Sequence, residues 1–195
     1  MHELKSLIEK TQEKVFNFCY FLVGETSGSS QITFSCYKTL IQKYKKYLSQ
    51  KRGDHSAVDI NTLLFQIAWK KTKNYLSEHA KEPYLFSSRD YRVLKRMESD
   101  LLQIFFANPP SISKENLEYL IYRLQTLDLD YRVVIVLKDI LKMPDELVAQ
   151  IVQLRWGVFR HRLNHARIEL LKSLKGEAGF SLTPEVKGKG KTLDI

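Results

Sequence analysis

Apolar residues recur at spacings of three and four along most of this chain, and no stretch shows the sustained alternation of a half-buried strand. Leu7, Ile8, Val15, Phe18, Cys19 and Leu22 predict a helix over 4–23, ended by Gly24. Glu25-Thr26-Ser27-Gly28-Ser29-Ser30 has the composition of a turn. Ile32, Cys36, Leu40, Tyr44 and Tyr47 share one face of a second helix, 31–48, and the polar stretch 50–59 with Gly53 reads as a loop. Asp59 stands where it can cap a third helix running to His79, with Leu63, Leu64, Ile67, Ala68 and Tyr75 along it. The pattern breaks over 83–88. It resumes over 88–107 and stops at Asn108-Pro109-Pro110, because the residue before a proline avoids the helical region. Further helices are predicted over 114–126, 130–141, 144–152 and 155–174. The fold expected is all-α, with two small helical domains: a three-helix bundle over 1–82 and a second domain over 114–175. A linker, 83–113, contains the intervening helix, and a Gly-, Pro- and Lys-rich tail over 176–195 has too little apolar surface to fold.

The last two predicted helices are short and separated by Gln153-Leu154, which is the layout of a helix-turn-helix. Pro144 suits the first turn of the bracing helix, whose inward face is expected to hold Leu147, Val148, Ile151 and Val152 beside the small Ala149. In the second helix Val158, Leu163 and Ala166 are expected to point inward. Arg155, Arg160, Arg162 and Arg167 are then free to face out with no acid among them, and His161, Asn164 and His165 add hydrogen-bonding groups. Arginine grips phosphate or guanine with two parallel bonds, and asparagine can read adenine the same way. A duplex DNA ligand follows from that chemistry.

Composition narrows the picture in two places. The formal charge of +9 favours a polyanionic partner, although charge alone would serve an acidic membrane as well. Cys19 and Cys36 are the only cysteines, both in apolar surroundings and with no second ligand at metal spacing, so they read as buried thiols in a reducing compartment. The N-terminus carries Glu3 with no long apolar run behind it, and no stretch reaches the length of a membrane span, which predicts a cytoplasmic protein.

Residues 127–170, LDLDYRVVIVLKDILKMPDELVAQIVQLRWGVFRHRLNHARIEL, resemble region 4 of the extracytoplasmic-function sigma factors, a branch of the sigma-70 family. Leu127, Val134, Leu137, Glu146, Ala149, Gly157, Arg162, Leu163, Ala166, Arg167 and Leu170 match the family pattern without a gap. The resemblance implies that Arg155, Trp156, Phe159, Arg160, His161, Arg162 and Asn164 face a promoter −35 element, with Arg167 as a phosphate or structural arginine. Residues 16–24 and 63–71 resemble region 2 of the same family. That likeness implies −10 strand contact by Trp69, Lys70 and Lys73, where an aromatic beside cations can stack on a single strand. It implies contact with core RNA polymerase (β and β′) at Gln31, Phe34 and Tyr37, although the family's acids are missing from this stretch. The resemblance also implies an anti-sigma partner and a linker that lets the two domains sit apart over a promoter. Gln153 replaces the family's frequent turn glycine, at a cost of roughly 1 kcal/mol if its φ is positive.

The function expected is promoter-specific transcription initiation as a sigma factor. The alternative is a sigma-like DNA-binding regulator that no longer binds core polymerase. A third class, a protein-binding helical module, is separated from both by loss or retention of DNA binding when Arg160 and Arg162 are replaced. No nucleophile–base set, membrane contact, small-molecule substrate or cofactor is expected. Other constellations have plainer readings. Asp128 and Asp130 suit a helix cap. His161 and His165 stand at helical i, i+4 spacing but among arginines that would repel a metal ion. The basic run Lys43, Lys45, Lys46, Lys51 and Arg52 reads as a solvated helix end.

Overall fold

The computed structural model describes residues 2–49, 59–79 and 114–175, with side chains for 5–43, 59–79 and 119–174. The expected loop after the second helix, the 83–88 break, the 88–107 helix, the double-proline stop and the basic tail lie outside these residues, apart from Asp59. Among the described residues every regular element is helical, as the spacing predicts. The elements are α1 (His2–Val23), α2 (Thr26–Ser49), α3 (Ile60–Glu78), α4 (Lys114–Thr126), α5 (Leu129–Ile135, continued by a π turn Val136–Ile140), α6 (Asp145–Val152) and α7 (Trp156–Lys175).

The helix ends follow local chemistry. Gly24 closes α1 at φ +85°, with its N–H donating to Tyr20 O at 2.7 Å. Asp59 caps α3, its carboxylate accepting from the N–H groups of Asn61 (3.1 Å) and Thr62 (3.2 Å). Asp128 does the same for α5 through Asp130 N–H at 2.8 Å. The start of α2 differs from the sequence expectation: Thr26–Ser30 is helix, not turn. Ser29 Oγ donates to Glu25 O, Ser30 Oγ to Thr26 O and Thr33 Oγ1 to Ser29 O, so these hydroxyls bond within their own helix. Gly28 is required there, because a Cβ would sit 2.5 Å from the Tyr75 hydroxyl of α3.

Helices α1, α2 and α3 form a three-helix bundle around Phe18, Cys19, Leu22, Ile32, Cys36, Leu40, Leu64 and Ala68, all buried. Phe18 meets Phe65 edge to face with 5.7 Å between ring centroids. Both cysteines are free and buried. The Cys36 thiol is pushed up by its hydrogen bond to Cys19 and by burial, so it stays protonated. The second half packs Leu120, Ile121 and Leu124 of α4, Val133–Leu137 of α5 and Phe159, Leu163, Ala166 and Leu170 of α7.

The two helical halves do not sit apart. They share one continuous apolar core, and α6 lies along α3. Arg132 of α5 reaches across to α1, donating to Leu22 O at 2.7 Å, and within its own half to Leu127 O at 2.9 Å and to Gln125 O. Gln66 Nε2 of α3 donates to Gln150 O of α6 at 3.0 Å. Burial pushes the Arg132 guanidinium down to about 10, opposed by Asp128, so it is still a cation at neutral pH.

Candidate nucleic-acid interface

Helices α6 and α7 form the two arms of a helix-turn-helix. Val148, Ala149 and Ile151 bury the inner face of α6, with Leu147 and Val152 half-buried beside them. Gln153 takes the left-handed conformation at φ 58°, and its N–H bonds Ala149 O and Gln150 O. The family glycine's backbone geometry is therefore kept without the glycine. From there the chain turns through Leu154 and Arg155 into α7.

Phe159, Leu163, Ala166 and Leu170 anchor α7, at spacings of four, three and four residues. Two expectations are corrected by this register. Phe159 is fully buried and cannot face DNA, whereas Val158, expected inside, is 49% exposed. The inward set counts correctly only from Phe159, because Val158 and Leu163 are five residues apart and fall on different faces.

The arginines of α7 divide into two groups. Arg162 donates to Asp130 Oδ2 of α5 at 2.8 Å. Arg167 holds both oxygens of the buried Asp139 carboxylate, Nε at 3.0 Å and Nη2 at 2.5 Å, and that carboxylate raises its pKa. These two tie α7 to α5 and the π turn, so the expected outward role of Arg162 gives way to a structural one. Arg155 and Arg160 are exposed with no acid partner. Beside them His161, Asn164 and His165 are exposed, the two imidazole rings 4.3 Å apart. Trp156 is 43% exposed, with the Arg160 guanidinium 5.9 Å from its ring centroid. From Arg155 to Ile168 the helix carries no acid. The surface left is a cationic strip with donor side chains, suited to phosphate and base edges.

In the other half, Lys70 and Lys73 are exposed on α3, but Trp69 is buried in the core. Stacking of a base on Trp69 is therefore corrected: its ring is covered, and Lys73 Nζ lies 4.9 Å from the ring centroid. Tyr37 is also buried, its hydroxyl 2.8 Å from Thr11 Oγ1, so it is removed from the expected contact surface. Gln31 and Phe34 are exposed, Phe34 at 75%. Phe34 borders a groove of about 950 Å³ between α1 and α2, lined also by Ile8, Phe16, Thr33 and Ile41. Sequence reasoning missed this groove because its α1 wall comes from residues assigned to the core face. Among the described residues no group of three or more His, Cys, Asp or Glu could hold a metal ion, and no helix is long and apolar enough to cross a membrane.

No protein-family model and no curated protein matches the chain. A solved structure does: the sigma factor RpoE in complex with the anti-sigma factor NepR from Bartonella quintana. The TM-score is 0.59 at 16% sequence identity, covering 91% of this chain and 100% of that one. The chain thus has the all-helical fold of that sigma factor over nearly its whole length.

Proposed function

We propose that this protein is a sigma factor of the extracytoplasmic-function type, which binds core RNA polymerase and directs it to specific promoters without catalysis of its own. The observation that carries the reading is the acid-free cationic strip of Arg155, Arg160, His161, Asn164 and His165 on the second arm of a helix-turn-helix, within a fold shared with a sigma factor. In this reading α7 lies in the major groove of the −35 element and α6 braces it against the backbone. Arg155 and Arg160 supply phosphate or guanine contacts, and Arg162 and Arg167 hold the helix at its angle. Lys70 and Lys73 border the −10 strand, and polymerase core meets α2 around Gln31 and Phe34. An anti-sigma factor, of the kind RpoE has in NepR, is a further partner. The protein works in the cytoplasm and needs no cofactor.

Reconstitution tests this reading. Core polymerase plus this protein yields a specific transcript from a promoter that core alone ignores. Absence of any complex with core at micromolar protein overturns the sigma assignment. A second reading is favoured by one observation: the α2 surface around Phe34 offers an exposed phenyl where the family carries acids. It makes the chain a DNA-binding regulator of the same descent without polymerase, and it predicts specific duplex binding in the absence of a core complex.

A further inference from the structure

Two apolar side chains stand in the cationic strip of α7. Trp156 is 43% exposed and Val158 49% exposed. Between them Gly157 is open to solvent, with nothing within 4 Å of where a Cβ would be. Phosphate contact gains nothing from an indole or an isopropyl group, and exposing both to water is unfavourable. Burying Val158 was available one position along, since its neighbour Phe159 fills the core instead. The strip thus combines free cations (Arg155, Arg160), amide and imidazole groups (Asn164, His161) and two apolar shoulders flanking a position with no side chain. The edges of base pairs in the major groove present hydrogen-bonding groups and one apolar group, the C5-methyl of thymine. Gly157 lets the helix backbone approach closely, with a shoulder on each side.

We infer that Trp156 and Val158 read thymine methyl groups in the major groove of duplex DNA, one on either side of Gly157. The inference rests on the DNA-binding reading above and deepens it by naming what the apolar positions recognise. The Trp156 ring also lies beside Arg160, at 5.9 Å from centroid to guanidinium, so the two act as one unit: the ring meets a methyl and the guanidinium meets a neighbouring phosphate or guanine.

The experiment uses the full chain and a duplex selected by it from a random pool. Each thymine in the selected duplex is replaced in turn by deoxyuridine, which lacks only the methyl group. At one or two positions affinity falls about 3–5-fold, the effect of exposing one methyl to water. Trp156→Ala removes the thymine–uracil difference at one of these positions and Val158→Ala at the other. The comparison on the unaltered protein needs no variant, and Val158→Ala trims an exposed side chain, so neither depends on the folding of Trp156→Ala. Specific binding that is indifferent to uracil at every position overturns the methyl assignment and leaves the −35 reading standing. A difference that persists in both variants also overturns it. Selection of no duplex at all overturns the DNA-binding reading, and this inference with it.

Discussion

The Asp139 carboxylate is 8% exposed and takes two hydrogen bonds from Arg167. Removing the guanidinium strands a buried charge. Arg167→Ala is expected to lower stability by roughly 2–3 kcal/mol in urea titrations. Arg167→Lys recovers only part of this, because an ammonium cannot fork onto both oxygens. Gln153 has the opposite sign. At φ 58° a side chain is strained, and Gln153→Gly is expected to raise the urea midpoint by about 0.5 kcal/mol of stability, the relief of strain exceeding the added chain entropy. That position was legible in advance, because the turn spacing alone assigns it a left-handed conformation. The partners of Arg162 and Arg167 were not. Asp130 and Asp139 lie 32 and 28 residues away, and no local pattern records a contact made by folding α5 against α7. An acid-free helix therefore reads as four free arginines, and the fold leaves Arg155 and Arg160.

Among the elements, the contact between the start of α2 and the end of α3 is set by a hydroxyl. Tyr75 donates to Glu25 Oε1 at 2.6 Å, which raises its phenol to about 12. A raised folded value means that this contribution to stability is fully present below pH 10 and is lost as pH rises through about 12. Alkaline unfolding followed by circular dichroism should show this loss, and Tyr75→Phe should be less stable at neutral pH with a flatter profile above pH 10. Helix existence was readable at this scale wherever apolar spacing and a capping aspartate agreed, as at α3 and α5. The start of α2 was misread because Ser and Gly signal turns by composition. Here the hydroxyls bond back into the helix and the glycine makes room for Tyr75. The face of α7 was misread by one residue, enough to exchange Phe159 and Val158 between core and solvent.

On the scale of the whole molecule, the shared core makes the two helical halves one thermodynamic unit. Thermal unfolding should give a single transition, coincident by near- and far-ultraviolet circular dichroism. Arg132 is the polar tie in that unit, and Arg132→Ala leaves three backbone carbonyls without their charged donor. It is expected to cost roughly 2–4 kcal/mol in calorimetry, and to raise hydrogen exchange at both the end of α1 and the start of α5. Both halves were legible as helical bundles. Their union was not, because it depends on backbone carbonyls of α1 and α6 receiving side chains from far along the chain.

The π turn in the middle of α5 sets a phase. Upstream of it Arg132 must point at α1, and within it Asp139 must point at Arg167. The wide loop, closed by Leu141 N–H on Val136 O at 2.9 Å, holds one residue more than an α-turn would. Deleting a residue there would restore a regular helix and rotate its two ends by about 100° relative to each other. One of the two arginine contacts would then face solvent. The stretch Val136–Ile140 therefore tolerates exchange of side chains far better than any change of length: its residue count works as a gear tooth, indexing the bundle against the helix-turn-helix.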